Sequence, residues 1–295
     1  MLGNTGNLAK NGYTFAGWNT AADGVSFDMV YVPGGKTFPT GTDDLGTPAT
    51  VTNAYWIGDT EVTYELWSTV YTWATANGYN FANAGTRGDG VGDTNQHPVT
   101  TVNWRDAMVW CNAATEWYNA KTGTSYTCVY TYSSTIIRDS RDTNATACDN
   151  AVPSYTATGF RLLSSNEWEL AARWRNDATN TVAGYTDPYF TQGDSASGAT
   201  ADYNDAAATQ AVAWYDANSD SSTYAVKGKT ANALGLYDMS GNVWEWTFDL
   251  SGSARVERGG CWHSGADTLR VGYVSSDVPY SEYYSEGFRL ARSNF

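Results

Sequence analysis

Asn232-Ala233-Leu234-Gly235-Leu236-Tyr237-Asp238-Met239-Ser240-Gly241-Asn242-Val243-Trp244-Glu245-Trp246 is the stretch from which the fold can be read outward. Gly235 and the run Ser240-Gly241-Asn242 are turn formers, whereas Val243, Trp244 and Trp246 suit a pleated surface. The segment predicts turns leading into a strand, and short strands and turns continue from it to residue 295. On its N-terminal side, residues 176–231 are rich in Asp, Asn, Ser, Thr and Gly and predict loops. Before them, Ser164 with Glu167 three residues on is a capping-box pattern. It opens a short helix whose buried face is Trp168, Ala171 and Ala172. Residues 122–158 are polar and irregular. Asn103 to Lys121 predicts a longer helix, with Asn103 as N-cap, Asp106 in the first turn and Gly123 as the stop. Its apolar stripe is Ala107, Trp110, Cys111, Ala114 and Trp117. Glu61 to Asn77 predicts another helix, since Val62, Leu66, Val70 and Trp73 recur at helical spacing before Gly78. Met29 to Phe38 predicts a strand pair turning at Pro33-Gly34-Gly35. Few helices among many short strands and long loops make an α+β domain that tolerates insertions.

Composition narrows the function. The chain has 295 residues, enough for a large core. Aromatics make up 15%, with 13 Trp and 21 Tyr, which excludes a disordered acidic tail. Lys plus Arg is 17 against 31 Asp plus Glu, a formal charge of −14. A field of that sign repels phosphate backbones and argues against nucleic acid as partner. No apolar run approaches the roughly 18 residues of a membrane helix. Met1-Leu2-Gly3 begins no signal peptide, yet low Lys with abundant Thr, Asn, Tyr and Gly fits an exported protein.

Cys111, Cys128, Cys148 and Cys261 show no zinc-knuckle spacing. Cys128 and Cys148 flank a polar stretch and can close a loop worth roughly 3 kcal/mol if bridged; they can equally stay reduced. Cys111, inside an apolar helical pattern, reads as a buried thiol. His97 and His263 are the only histidines, too few for a three-His metal site.

Four blocks carry a family resemblance. They are His97-Pro98-Val99-Thr100-Thr101-Val102-Asn103-Trp104-Arg105-Asp106-Ala107, Gly159 to Arg173 (Gly-Phe-Arg-Leu-Leu-Ser-Ser-Asn-Glu-Trp-Glu-Leu-Ala-Ala-Arg), Asn232 to Trp246, and Arg258-Gly259-Gly260-Cys261-Trp262 followed by Gly287-Phe288-Arg289-Leu290-Ala291-Arg292. Together with the Met29 to Phe38 strands they resemble, in order, the formylglycine-generating-enzyme (sulfatase-modifying factor) family. The resemblance implies an enlarged C-type-lectin-like fold over residues 25–295. Residues 1–24 stand apart. There, Asn11 to Thr20 either resembles the end of a β repeat of bacterial surface proteins or is a simple strand and turn. The enzymes of the family carry two redox cysteines after the Gly-Gly pair, at positions that here fall at about Ser264 and Leu269. Neither residue binds copper or attacks a thiol. The iron-dependent sulfoxide synthases of the same fold need three histidines.

Between the last two blocks the composition changes to Tyr, Ser, Gly and Asp, with Tyr273, Tyr280, Tyr283 and Tyr284 prominent. This is the composition of antibody paratopes, where Tyr supplies contact area at low entropic cost. The stretch resembles the variable region, about residues 255–292, of diversity-generating-retroelement variable proteins, treponemal members included. That resemblance implies Asn codons mutated at adenines, a scheme that does not yield Trp or Glu. Trp262, Glu282 and Glu286 are then fixed, and Ala266, Leu269, Arg270, Val271, Gly272 and Pro279 are framework. The expected ligand-binding variable positions are Cys261, His263, Ser264, Gly265, Asp267, Thr268, Tyr273, Val274, Ser275, Ser276, Asp277, Val278, Tyr280, Ser281, Tyr283, Tyr284 and Ser285.

The leading expectation is a non-catalytic ligand-binding protein that requires no cofactor. Its partner would be a protein or a host or cell-surface ligand. It would be exported to a bacterial surface or outer membrane, with any lipid anchor outside this chain. A thiol enzyme or formylglycine-generating oxidase using Cys261 is the first alternative, and a calcium-dependent carbohydrate-binding module the second. Gly241 to Glu245 resembles a calcium loop of the family, with Asn242 and Glu245 as side-chain ligands of a structural calcium; alternatively it is a turn with a satisfied Glu. No lectin carbohydrate triplet (Glu-Pro-Asn, Gln-Pro-Asp or Trp-Asn-Asp) is present. Arg161, Arg173, Arg258 and Arg289 are expected to pair with carboxylates such as Glu167 and Glu245 inside the fold. Trp104, Trp110, Trp168, Trp244 and Trp246 are expected in the core.

Overall fold

Strands from near the two ends of the domain meet in one sheet. In the computed structural model, residues 27–88 and 94–294 are described, together with the backbone of residues 9, 10, 13 and 14. The expected N-terminal segment lies outside the described residues, except that Ala9–Lys10 pairs antiparallel with Tyr13–Thr14. The strands that matter for the site are β1 (Met29–Val32), β2 (Tyr55–Gly58), β3 (Phe160–Arg161), β4 (Trp244–Ser251), β5 (Ala254–Arg258), β6 (Ser275–Asp277), β7 (Glu286–Phe288) and β8 (Ala291–Ser293). The central sheet runs β3-β8-β2-β1, all antiparallel, with Ala291 opposite Ile57 and Ile57 opposite Val30. A second sheet runs β6-β5-β4-β7, in which β4 and β7 are parallel.

Met29–Val32 and Lys36–Phe38 are both strands, but they do not pair with each other as expected. The first pairs with β2 and the second with Ala49–Val51. The Gly-Gly turn explains the difference. A Cβ on Gly34 would lie 2.4 Å from the Ala54 nitrogen, and Gly35 N donates to Val51 O at 2.8 Å. The turn therefore packs against residues 51–54, and the chain steps from one ladder to the next instead of folding back on itself.

Among the described residues, five α-helices punctuate the strands: α1 (Tyr64–Ala76), α2 (Trp104–Thr122), α3 (Ala145–Asp149), α4 (Ser165–Arg173) and α5 (Ala206–Val212). The caps of α2 and α4 are as expected. Asn103 with Asp106 and Ser164 with Glu167 are both complete capping boxes, and Gly123 closes α2 in the left-handed region. α1 starts later than expected, behind the N-cap Thr63. The reason is Glu61, which turns inward and accepts from Asn242 Nδ2 at 2.8 Å and Val243 N at 3.1 Å. α3 and α5 interrupt stretches expected to be loops.

The core gathers around two layers of indoles. Trp67 and Trp110 stack at 5.6 Å between α1 and α2, against Phe288. Trp168 of α4 packs with Val32, Ile57 and Val271 in a second cluster. Trp104, Trp110, Trp168 and Trp246 are buried as expected. Trp244 is a correction, since it is only half-buried. The arginines pair as expected: Arg161 with Glu167 at 2.7 Å and Arg289 with Glu245 at 2.7 Å. Glu169 serves both Arg173, at 2.8 Å, and Arg258. A buried pair of this kind is costly to form and more costly to break, so it fixes register. Cys128 and Cys148 are free thiols, not a bridge, and burial pushes both up to about 12. Each donates instead to a carbonyl, Asn112 O and Asp139 O. Cys111 is a fully buried thiol. Among the described residues no helix is long and apolar enough to cross a membrane.

Candidate ligand-binding face

The segment 261–285 leaves β5 and returns as β7, so strands hold it at both ends. Gly260 opens it at φ +75°. A Cβ there would lie 2.7 Å from Leu269 Cδ2 and 3.5 Å from Ser264 Oγ, so only glycine fits. Ser264 and Leu269, the positions expected from the resemblance to match the redox cysteines, are therefore neighbours in space, and both are buried. Leu269, Val271 and Pro279 are buried and pin the segment, while Ser275–Asp277 form edge strand β6 on β5.

The expected variable positions separate into three groups. His263, Gly265, Asp267, Val274, Ser276, Tyr280, Tyr283 and Tyr284 are exposed; Thr268, Tyr273, Ser275, Asp277, Val278 and Ser281 are half-buried. Cys261, Ser264 and Ser285 are corrections to a surface reading, because all three are buried. They form the floor. Ser264 Oγ accepts from Cys261 N at 3.0 Å, and Ser285 O accepts from Trp244 N at 2.8 Å. The large apolar side chains exposed among the described residues are Leu45, Tyr132, Val152, Tyr155, Leu250, Val274, Tyr280, Tyr283 and Tyr284. The last four of these fall within eleven residues of one another, which is the concentration expected of a contact surface.

Several residues outside the expected set complete the face. Trp262, expected to be fixed, packs edge-on to His263 at 4.7 Å and against Tyr284 at 5.6 Å. Trp244 meets Tyr273 at 6.2 Å. Arg105, held by Asp149 at 2.7 Å, lies 5.8 Å from the ring of Tyr280. Asp216 N donates to Ser264 O, which brings an insertion loop to the rim. Beneath lie Glu257 of β5 and Glu286 of β7, on either side of β4 and hydrogen-bonded to each other. Burial and mutual repulsion raise Glu257 to about 9, and burial raises Glu286 to about 7. Nothing in the local sequence Val256-Glu257-Arg258 announces a buried acid. The pairing arises across the sheet.

The thiol of Cys261 touches His263 Nδ1 at 3.4 Å and Ser264 Oγ at 3.3 Å. Burial raises its pKa, and burial lowers that of His263, so the pair rests as thiol and neutral imidazole. Asn242 and Glu245 lie close together, but their polar atoms are engaged by protein. Asn242 Oδ1 accepts from Tyr224 N, and Glu245 accepts from Trp168 Nε1 and Arg289. Among the described residues no group of three or more His, Cys, Asp or Glu is arranged to hold a metal ion.

An enlarged C-type-lectin-like fold with a Tyr-rich face in place of paired redox cysteines defines the class of protein. The chain belongs to the family of the sulfatase-modifying factor enzyme 1-like domain, which matches residues 16–294. Chaperone protein LppX of Paenibacillus barcinonensis is 28% identical over 282 residues, 91% of this chain and 90% of that protein. Among solved structures, Treponema denticola variable protein 1 aligns with a TM-score of 0.69 and 30% identity over 94% of this chain and 99% of that one. CarF aligns with a TM-score of 0.65 and 25% identity over 91% and 99%. The expected likeness to a variable protein is met.

Proposed function

We propose that the protein is a non-catalytic receptor whose face, built on residues 261–285, is diversified to bind varied protein or cell-surface targets. The observation that carries this reading is the clustering of exposed Val274, Tyr280, Tyr283 and Tyr284 on a segment pinned by buried Leu269, Val271 and Pro279. A rigid frame under adaptable Tyr and Ser is how a paratope is built. The likeness to Treponema denticola variable protein 1 over nearly the whole chain supports it. The absence of thiols at Ser264 and Leu269 supports a binding role over oxidation. On this reading the chain is exported and displayed at a bacterial surface, and binding needs neither metal nor redox step.

Sequencing the 3′ end of the gene across a growing population and related isolates tests it. Changes confined to the variable positions, at adenines of a nearby template copy, are expected. An invariant 3′ end would sink diversification. Thiol labelling at neutral pH tests the enzymatic alternative, because a catalytic Cys261 would label rapidly whereas the buried thiol stays inert.

A further inference from the structure

Glu257 and Glu286 meet inside the second sheet. Glu257 lies opposite Trp246 and Glu286 opposite Trp244, so their side chains emerge on the same side of the sheet, from β5 and β7 across β4. They are 4% and 3% exposed, and Glu257 Oε1 has no hydrogen-bond partner. Other buried acids are satisfied by fixed donors: Glu61 accepts from Asn242 Nδ2 and Val243 N, and Asp106 from Ala82 N and Asn103 N. The titratable groups near the pair are Asp277 of β6, Glu282 of the face segment and the Cys261 thiol. Arg255, two residues along β5, is turned away and donates to Phe248 O and Asp149 O. Two carboxyls closed off together have room between them for one cation, a proton, which makes one the donor to the other.

The pair is also tied to the face. Glu286 Oε2 accepts from Tyr283 N at 3.2 Å, and Glu286 N donates to Tyr283 O at 3.2 Å. Tyr283 O accepts in addition from Thr101 N at 3.0 Å. On the other side, Glu257 stands opposite Ser275 of the edge strand β6. One carboxyl pair thus reaches both the edge strand and the turn that carries the exposed Tyr283 and Tyr284.

We propose that a proton shared by Glu257 and Glu286 is the clasp that holds β6 and the Tyr283–Tyr284 turn in their binding posture, ordered while the proton is present and loosened when it leaves. Both glutamates are then positioning residues. The inference deepens the receptor reading and rests on it for what the posture serves. Burial and mutual repulsion keep the last proton on the pair up to about pH 9. Above that, two like charges oppose each other across β4, with Asp277 and Glu282 adding to the repulsion. The raised value means that the stabilisation is full at low pH and is lost as pH climbs through 9.

Amide hydrogen exchange read by mass spectrometry, on the whole chain and corrected for base catalysis of exchange, tests this across neutral to alkaline pH. Peptides covering 273–286 are expected to lose protection by about tenfold per pH unit above 9, while α2 and β2 hold. Glu257→Gln, whose amide stays a donor at every pH, should flatten that profile. Asp277→Asn removes a negative charge that acts on both glutamates, so the midpoint should move to lower pH. Asp187→Asn, exposed and remote, should leave it in place. No fall in the natural chain, an equal fall in α2, or the same fall in Glu257→Gln overturns the proposal. If Glu257→Gln does not fold, Asp277→Asn decides, and an unmoved midpoint overturns it. The readout needs no ligand, so it separates from the receptor reading. An invariant 3′ end would sink diversification and leave the clasp standing, whereas a flat exchange profile would sink the clasp and leave diversification untouched.

Discussion

The frame and the face of this molecule treat buried charge in opposite ways. In the frame, Glu167, Glu169 and Glu245 each meet an arginine, and Glu245 adds the Trp168 indole at 2.8 Å. Desolvation is offset within the chain, and nothing further is needed. Under the face, Glu257 and Glu286 meet each other with no ion pair to a base, and Glu286 accepts from Tyr283 N at 3.2 Å. Large side chains divide in the same way. In the frame, Trp67, Trp110 and Trp168 are wholly buried and interlocked, whereas Tyr280, Tyr283 and Tyr284 stand in solvent. The frame is thus locked from within, while the large side chains of the face stand free for contact.

The contrast can be broken by measurement. The largest effects belong to the frame: Trp110→Ala should cost roughly 3–5 kcal/mol in denaturant unfolding. Arg289→Ala, which strands Glu245, should cost about 3–5 kcal/mol. Trp244→Ala sharpens the boundary, since its ring serves both regions; a loss of roughly 1–3 kcal/mol together with changed binding is expected. Next comes pH. Glu257 is raised from its ordinary 4.5 to about 9, so its contribution to stability is full below about 4.5 and is lost as pH climbs through 9. Thermal melts across that window should fall more steeply for the natural chain than for Glu257→Gln; parallel curves would show that the pair is not under strain. The smallest effect is Tyr284→Ser, within about 0.5 kcal/mol in stability while binding changes. Equal destabilisation by Tyr284→Ser and Trp110→Ala would erase the distinction between frame and face.

Local signals were the legible part of this chain. Asn103, Ser164 and Gly123 mark helix ends because caps act over three or four residues, and the arginine–glutamate pairs follow from recognisable blocks. Asp205 before Ala206-Ala207-Ala208 was a readable N-cap signal for α5 hidden inside a loop-like composition. What was not legible was cross-strand: which partner Met29–Val32 takes, that Trp244 half-emerges, that Cys261, Ser264 and Ser285 sink below the Tyr layer, and that Glu257 meets Glu286. These depend on neighbours far along the chain, and no spacing within one segment encodes them.

The Tyr-rich stretch 261–285 lies between β5 and two strands that the fold cannot spare. β8 sits inside the central sheet between β2 and β3, and Arg289 just before it neutralises Glu245. A frameshift or premature stop anywhere in 261–285 deletes both. Such a product loses a central strand and buries an unpaired carboxylate, so it fails to fold before it can bind anything. The topology thereby treats two kinds of change differently: a change of length within 261–285 costs the domain its closing strand, whereas a change of identity at an exposed position leaves the frame intact.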